Sequence, residues 1–473
     1  MVTRRSIVKA SLALPFASWA LAGCDASRRP AVSAWSEGMY LSGNYAPVDI
    51  EVTATDLPVT GKIPEELVGR YLRNGPNPLG DVDPASHHWF TGDGMVHGIR
   101  LDGGRAEWYR NRWVRNERIV GELGEAVGGR VLGGTPNTNV IGHAGRTWAL
   151  VESGPAPVEM SYELDTIGVS KGWPGYTAHP KIDPDTGELH AIAYDWANLR
   201  DHVKYLVIDR NAQLKKSLDI PLGGMPMIHD MSLTKQYVVI YDLPVTVSLL
   251  DVARGLQFPF RWDPDHGARI GLLPRTGTPD DIIWSSLPAQ YAYHPMNAYE
   301  DDRGNVVIDI VRYDRMFDAD RLGPFGDSEP RLARWTVNPS ARTVAEDRID
   351  DRPQEFPRCH PALNSKPYQF GYTLGAQDLA YTSIIKHDMK TGASDIFSLG
   401  EGHHGGEAYF VPRQGAQSED DGYLMSIVYI ESARRSDLVI FDARDPARDA
   451  LARVHLPARV PYGFHGNWVP DAA

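Results

Sequence analysis

The chain has 473 residues, of which 42% are hydrophobic and 23% charged, a composition that can bury a large core and excludes a disordered or collagen-like protein. Its formal charge is -13, from 61 acidic and 48 basic residues spread along the chain, which argues against a nucleic-acid partner. The 45 glycines and 35 prolines are scattered between short apolar runs, and this pattern predicts an all-β fold of many strands and tight turns.

The first 24 residues are predicted to be an export signal. Arg4 and Arg5 precede an apolar stretch, 10–22, that is too short to span a bilayer as a permanent helix. The segment resembles a twin-arginine signal, a route by which a protein crosses the membrane already folded and loaded with metal. It ends in Leu-Ala-Gly-Cys, which resembles a lipoprotein box and predicts a lipid anchor on Cys24, on the periplasmic or cell-surface side of the cytoplasmic membrane. The alternative is an ordinary secretory signal in which Cys24 falls at this place by chance.

Cys24 and Cys359 are the two cysteines of the chain. A lipid-modified Cys24 would leave no partner for an intrachain disulfide, although the predicted compartment is oxidising. The stability of the exported protein is therefore expected to come from its hydrophobic core.

Residues 25–42 are predicted to be a linker and 43–473 a single domain, because no low-complexity tract or sustained 3.6-residue period divides the longer segment. Three hairpin signals, at 181–190, 299–307 and 386–392, each place a turn rich in Gly, Asp or Asn between strand-like runs. So many strands must close on themselves or stack, since an open sheet would leave long unpaired edges. A β-propeller is the simplest closure, although no repeated blade signature allows the blades to be counted.

Four of the sixteen histidines interrupt apolar or aromatic runs, where an imidazole needs a partner to offset its desolvation: His179, His229, His294 and His465. Their intervals are 229−179=50, 294−229=65 and 465−294=171 residues, near one, one and three propeller blades. Histidines at equivalent positions on several blades would all face the central axis of the propeller. Four neutral imidazoles there would suit a divalent transition metal, and nitrogen ligation with open positions suits iron that must also bind oxygen.

Six motifs, in order over nearly the whole mature chain, resemble the carotenoid cleavage oxygenase family: 71–78 (YLRNGPNP), 89–98 (WFTGDGMVHG), 177–184 (TAHPKIDP), 228–230 (IHD), 294–300 (HPMNAYE) and 465–466 (HG). The resemblance implies a seven-bladed β-propeller capped by a dome of loops and short helices, with Fe(2+) on the axis bound by the four histidines. It also implies three glutamates that orient the ligands, and the matching residues are Glu152, Glu355 and Glu407. Without the motifs, each glutamate would be read as the partner of an arginine such as Arg358 or Arg413.

This resemblance implies an oxidoreductase, a non-haem iron(II) dioxygenase that cleaves a carbon–carbon double bond of a carotenoid or apocarotenoid into two carbonyl products. The partners would be an apolar polyene and O2. A ferrous ion with vacant positions relieves the spin restriction that slows the reaction of oxygen with a closed-shell alkene. No protein nucleophile is needed, and the chain would supply ligand geometry and an apolar tunnel that selects the bond placed over the iron.

Several alternatives stay open. Cleavage of a stilbene or phenylpropenoid is one, weakened because Val151 stands where stilbene-cleaving relatives typically carry a lysine, directly before the first glutamate. A family branch that isomerises retinyl esters uses the same iron site, so iron alone does not prove cleavage. Outside the family, a non-catalytic ligand-binding propeller lipoprotein is possible, as is a calcium-dependent propeller hydrolase, whose axis should offer carboxylates and amides rather than imidazoles.

Two further segments carry weaker signals. Residues 243–262 combine many apolar side chains with few charges and, by the resemblance, lie in the dome near the tunnel mouth. They predict a peripheral membrane contact, or else ordinary packing within the dome. The GDGM run at 92–95 is interpreted chiefly as a turn between strands.

Overall fold

The computed structural model describes residues 38–126, 134–377, 380–445 and 448–471. The predicted export signal, Cys24 and most of the predicted linker lie outside the described residues. The end of that linker segment packs against the body of the protein: Tyr40 is 3% exposed and donates its hydroxyl hydrogen to the carbonyls of Leu322 (2.9 Å) and Gly323 (2.8 Å).

The predicted all-β, seven-bladed propeller is confirmed, because seven antiparallel sheets follow one another along the chain. We number the blades 1 to 7 in chain order. The strands of blade 1 are Thr53–Thr55, Gly69–Pro76, Gly94–Asp102, Arg105–Trp113 and Gly466–Pro470. Those of blade 2 are Asn139–His143, Arg146–Leu150, Val158–Met160 and Thr166–Val169. Those of blade 3 are Lys181–Ile182, Leu189–Ala193, His202–Ile208 and Leu214–Pro221.

The remaining four blades follow the same plan. The strands of blade 4 are Met231–Leu233, Tyr237–Asp242, Ala268–Pro274 and Ile283–Leu287. Those of blade 5 are Tyr291–Glu300, Val306–Tyr313, Arg331–Asn338 and Thr343–Asp350. Those of blade 6 are Gln354–Cys359, Phe370–Gln377, Ala380–Asp388 and Ser394–Ser398. Those of blade 7 are Val59–Gly61, His403–Gly405, Tyr409–Pro412, Gly422–Ile430, Arg435–Asp442 and Ala452–His455.

The ring is closed by strands from both ends of the chain. In blade 1 the late strand Gly466–Pro470 pairs with the early strand Gly69–Pro76, and in blade 7 the early strand Val59–Gly61 pairs with the late strand Ala452–His455. Closure of this kind removes the long unpaired edge that an open sheet would leave.

All three predicted hairpins form. Ile182 pairs with Leu189, Glu300 with Val306, and His387 with Ser394. The turn glycines help to explain all three hairpins, because Gly187 (φ 71°), Gly304 (φ 76°) and Gly392 (φ 74°) adopt the left-handed conformation that side-chain-bearing residues avoid.

The blades bury a core between their faces. All nine residues of Gly422–Ile430 are buried, which fits a strand covered by sheets on both sides, whereas the outer strand Thr343–Asp350 is largely exposed. Burial of apolar side chains between sheets is the main stabilising contribution in such a fold.

One end of the propeller carries a cap of loops, short helices and the two-stranded sheet Val245–Val247 with Phe260–Trp262. In the described residues as a whole, cap and blades together, the α-helices are Glu117–Glu122 and Leu249–Ala253. The 3-10 helices there are Met39–Leu41, Gly43–Tyr45, Trp89–Thr91, Trp196–Asn198, Pro264–His266, Pro279–Asp281 and Pro361–Leu363. Among the described residues, no helix is long and apolar enough to cross a bilayer.

Candidate metal centre and adjoining cavity

The four histidines singled out in the sequence meet on the propeller axis. His179 and His229 lie just before the first strands of blades 3 and 4, His294 lies within the first strand of blade 5, and His465 immediately precedes Gly466–Pro470 of blade 1. One ring nitrogen of each lies within 4.8 Å of the corresponding nitrogens of the other three. Their side chains are between 4% and 12% exposed.

Local backbone structure turns His294 toward the axis. The ladder between Tyr291–Glu300 and Val306–Tyr313 shifts register on both sides of Pro295, the residue after His294. Proline has no N–H to donate to the ladder, so a bulge is expected here, and bulges commonly redirect a side chain. The His465 backbone is held differently, since its N–H donates to the carbonyl of Thr138 (3.2 Å) and its carbonyl accepts from Asn74 (3.1 Å).

The three glutamates named in the sequence come from the three blades that contribute no histidine. Glu152 follows a strand of blade 2, Glu355 lies in the first strand of blade 6, and Glu407 lies between two strands of blade 7. Their carboxylates contact Nδ1 of His229 (2.6 Å), His294 (2.7 Å) and His465 (3.1 Å), in that order. A carboxylate at Nδ1 keeps the proton on that nitrogen and leaves Nε2 free with its lone pair toward the axis.

Each carboxylate is itself held in place. Tyr194 donates its hydroxyl to Glu152, Tyr313 donates its hydroxyl to Glu355 (3.0 Å), and the Gly466 N–H donates to Glu407 (2.9 Å). These contacts fix the angle at which each imidazole is presented.

Glu407 also pairs with Arg358, as the alternative interpretation of the glutamates expected. The guanidinium donates two parallel hydrogen bonds, from Nε (2.7 Å) and from a terminal nitrogen (2.9 Å), while Glu407 still accepts from His465. Burial raises the pKa of Glu407, but Arg358 and His465 outweigh it and hold that pKa well below its usual range. Glu407 is therefore an ionised carboxylate that serves both partners.

His179 differs from the other three. The nearest carboxylate oxygen, of Asp230, is 3.8 Å from its Nδ1, too far for a hydrogen bond. Its Nε2 is buried and has no hydrogen-bond partner in the described part of the chain. Burial, followed by the neighbouring imidazoles, lowers the pKa of His179 well below its usual range, so the ring is neutral and offers a lone pair.

The donor set fits a divalent transition metal. Nε2 of His229 and Nε2 of His294 are 3.1 Å apart, although each ring has its Nδ1 proton engaged by a carboxylate. Two such nitrogens require a proton or a cation between them. Ligands at about 2.1 Å from a metal and at right angles are about 3 Å from each other, and imidazole suits zinc, copper, iron and nickel.

A cavity of about 630 Å³ opens onto His229, His294 and His465. Aromatic side chains from the cap and from the inner strands form much of its wall: Trp89, Phe90, Phe258, Tyr293, Phe356 and Phe464. They pack on one another and on the metal centre, with ring centroids 4.7 Å apart for Trp89 and Phe464 and 4.8 Å for His229 and Tyr293. Charged residues such as Asp93 and Arg118, which form an ion pair, also line it. A cavity of this size and lining can enclose most of an apolar ligand.

Sequence reasoning missed this aromatic wall and the groups that hold the carboxylates. Three residues of the wall could have been predicted, because each directly adjoins a predicted site residue in the sequence: Tyr293 beside His294, Phe464 beside His465 and Phe356 beside Glu355. Tyr194 and Tyr313 carried no such signal. The GDGM run was predicted to be a turn between strands, but it connects the 3-10 helix Trp89–Thr91 to the strand Gly94–Asp102, in which Gly94 and Met95 already lie. Trp89 and Phe90 of that helix line the cavity.

Comparison with known proteins agrees with this architecture. The sequence profile of the family described as retinal pigment epithelial membrane protein matches residues 45–470. A carotenoid cleavage oxygenase of Mycobacterium tuberculosis is 45% identical, over 93% of this chain and 99% of its own. The crystal structure of lignostilbene dioxygenase from Pseudomonas brassicacearum superimposes with a TM-score of 0.83 and 27% identity, covering 94% of this chain and 100% of that one.

A third relative was crystallised in a cobalt-substituted form. Cobalt-substituted apocarotenoid oxygenase of Synechocystis has a TM-score of 0.79 and 29% identity, with 90% of this chain and 97% of that chain covered. The profile match spans most of the chain, and the first relative shares nearly half its residues over its full length. The protein is therefore an enzyme of the carotenoid cleavage oxygenase family, to which its chain belongs.

Proposed function

We propose that the protein is an iron(II)-dependent dioxygenase that cleaves one double bond of a carotenoid or apocarotenoid and gives two carbonyl products. The observation that carries this proposal is the convergence of four imidazoles at the end of a large, mostly aromatic cavity. The reaction balances without a further reductant, because each carbon of the cleaved bond receives one oxygen atom of O2. The 45% identical relative, named a carotenoid cleavage oxygenase, supports the substrate class.

His179, His229, His294 and His465 would hold the iron through Nε2. Bound there, iron(II) with positions left vacant by four nitrogen ligands supplies the capacity to bind and activate oxygen. Glu152, Glu355 and Glu407 would orient three of the imidazoles and increase the basicity of their metal-facing nitrogens.

The aromatic wall would bind the polyene, exclude water and decide which double bond lies beside the metal. Phe90 and Phe464 are in edge-to-face contact, with ring centroids 5.5 Å apart, and such packed rings leave a shaped space. The Nδ1 protons of His229, His294 and His465 would stay with their carboxylates. Because the proposed reaction adds both atoms of O2 without a net proton transfer, the chain need not supply an acid or a base to the alkene.

Stilbene cleavage is the second candidate, supported by the likeness to lignostilbene dioxygenase. Val151, next to Glu152, lines the cavity in this chain and offers no group to bind a phenolic oxygen. This favours the carotenoid substrate class.

The test is to load the protein with iron(II) without oxygen and then to add oxygen with carotenoids, apocarotenoids or resveratrol. Mass spectrometry should find two aldehyde or ketone fragments from a polyene, each labelled once from ¹⁸O₂. Turnover of resveratrol alone would favour the stilbene activity, and an isomer of unchanged mass would indicate isomerisation. Iron-loaded protein that converts none of these compounds would support the non-catalytic binder.

We also propose export, a lipid anchor on Cys24 and a peripheral membrane contact through the cap. The segment 243–262 is partly packed inward, since Leu243, Val245 and Phe260 are buried. Leu249 and Leu250, on the helix Leu249–Ala253, are nevertheless each 57% exposed. Arg254 beside them is half exposed and could face anionic headgroups.

Replacing both Leu249 and Leu250 by serine in a Cys24→Ser background is expected to lower vesicle binding at least about tenfold, because a fully buried leucine contributes about 1.5–3 kcal/mol. Flotation with phosphatidylglycerol-containing vesicles measures the effect. Ile396→Ser is the matched control, since Ile396 is 50% exposed on an outer strand of blade 6. Equal loss of binding in both proteins would contradict a contact through the cap.

Cys24→Ser alone should move the protein from the membrane fraction toward the soluble fraction of cells.

A further inference from the structure

A second, smaller cavity of about 150 Å³ lies on the other side of the four imidazoles. His229 lines only the large cavity and His179 only the small one, whereas His294 and His465 line both. The point at which the imidazoles converge therefore separates two spaces along the axis. The small cavity has room for about five water molecules at liquid density.

The linings of the two cavities differ in chemistry. The small one presents oxygen, nitrogen and sulfur atoms from Asp230, Glu407, Asn364 and Cys359, together with Lys181 and Arg358. The two cations are already paired, Lys181 with Asp230 (2.8 Å) and Arg358 with Glu407 (2.7 Å). Because the carboxylates neutralise these cations, a partly hydrated divalent ion would meet no net positive charge there and could keep the water molecules for which the small cavity has room. The aromatic part of the wall of the large cavity would instead remove hydration without replacing it.

A short segment, 361–366, lies against the small cavity and reaches from blade 6 to blade 3, and we call it the axial strap. Asn297 of blade 5 holds one side of the strap, which we call its base: the Asn297 Nδ2 donates to the carbonyls of Leu363 (2.9 Å) and Lys366 (3.0 Å). Pro361 and Asn364 of the strap line the cavity. The strap belongs to the connection between the first two strands of blade 6.

The far side of the strap reaches blade 3 through two contacts. Asn364 donates to the carbonyl of Ile182 (2.6 Å), and Lys366 forms an ion pair with Asp185 (2.6 Å). The ion pair is exposed, with 36% of the Lys366 side chain and 71% of the Asp185 side chain accessible. Exposed pairs contribute little to stability, so this side of the strap can open while its base on Asn297 holds.

We propose that the metal ion enters and leaves through the small cavity, under control of the axial strap, while the large cavity is kept for the organic substrate. This inference rests on the proposed function, because it requires a metal at the four histidines. It implies that the ion can exchange while a polyene or its products occupy the large cavity.

The experiment measures release of iron(II) from the full-length, iron-loaded protein to an excess of ferrozine, without oxygen. Asn364→Ala combined with Lys366→Ala is expected to speed release about tenfold, the factor that corresponds to the loss of one hydrogen bond of ordinary net strength. Asn364→Trp, which places a larger side chain in the lining of the small cavity, is expected to slow release. Destabilisation cannot imitate a slower release, so the second variant keeps the test valid if the first is loosened.

Lys204→Ala is the matched control, because it removes an exposed ion pair with Asp219 on the same blade 3, far along the chain from the strap. Its release rate should equal that of the unaltered protein. Equal rates in all the proteins, or acceleration by Lys204→Ala as large as that of the strap variant, would overturn the inference. Iron-to-protein ratios measured before chelation separate the two proposals. A protein that binds no metal at all would contradict the proposed function. A protein that binds metal but releases it at the same rate in the strap variants would contradict only the proposed route.

Discussion

Replacing His229 by alanine is expected to abolish both metal retention and product formation. The change removes one of four converging nitrogens and leaves the Glu152 carboxylate facing an empty space. Loss of a residue that merely orients a ligand costs about 10- to 100-fold in metal affinity or activity, so loss of the ligand itself should exceed about 100-fold. Iron content of the purified protein and the rate of apocarotenoid cleavage, measured together, check the prediction.

The matched control is His202→Ala. His202 lies on a strand of blade 3, its side chain is 23% exposed, and its charged neighbour is Asp201 rather than a buried glutamate. This variant should keep its iron and its activity. Full turnover by His229→Ala would contradict the assignment of the ligands, and an equal loss in both variants would point to a general effect on folding.

Replacing Glu407 by glutamine is expected to lower activity about 10- to 100-fold while most of the iron is retained. The amide can still accept the His465 Nδ1–H but cannot increase the basicity of the ring as a carboxylate does. The same change weakens the paired hydrogen bonds from Arg358, so the metal-free protein should also lose about 1.5–3 kcal/mol of stability, the range for a hydrogen bond to a charged group. Urea unfolding measures that loss.

Glu355→Gln separates the two effects. Glu355 orients His294, and its other hydrogen-bond partners among the described residues are Tyr313 and the Phe356 backbone rather than an arginine. Its activity should fall as far as that of Glu407→Gln, with a smaller loss of stability, because Glu355→Gln breaks no pair with an arginine. Wild-type activity in Glu355→Gln would show that the carboxylates do not orient the ligands.

The arrangement of the centre follows from the number of blades. Four blades present a histidine to the axis and the other three present a glutamate, so every blade contributes one residue to the centre. In a propeller the inner edge of every blade faces the central axis, so one residue from each blade is enough to build the centre. The carboxylates and their tyrosine or arginine partners hold the rings before any metal arrives, which lowers the cost of ordering them on binding.

Much of the fold could be predicted from local patterns. The hairpins at 181–190 and 299–307 are encoded by turn residues, because glycine takes a backbone conformation that other residues avoid. The number of blades was not encoded in this way: the blades share no repeated signature, and only the resemblance to a family implied seven. Closure of the ring depends on the pairing of Gly69–Pro76 with Gly466–Pro470, strands from opposite ends of the chain.

The sequence by itself singled out the four histidines, because an imidazole inside an apolar run is costly to bury without a partner. The three glutamates were implied only by the resemblance of their motifs to the family. Only the tertiary structure decided which glutamate meets which histidine, that Tyr194 and Tyr313 hold two of the carboxylates, and that two chemically different cavities meet at the imidazoles. These features depend on contacts between blades that are far apart along the chain. Such contacts are set by the closure and packing of the whole ring, and no local sequence pattern records them.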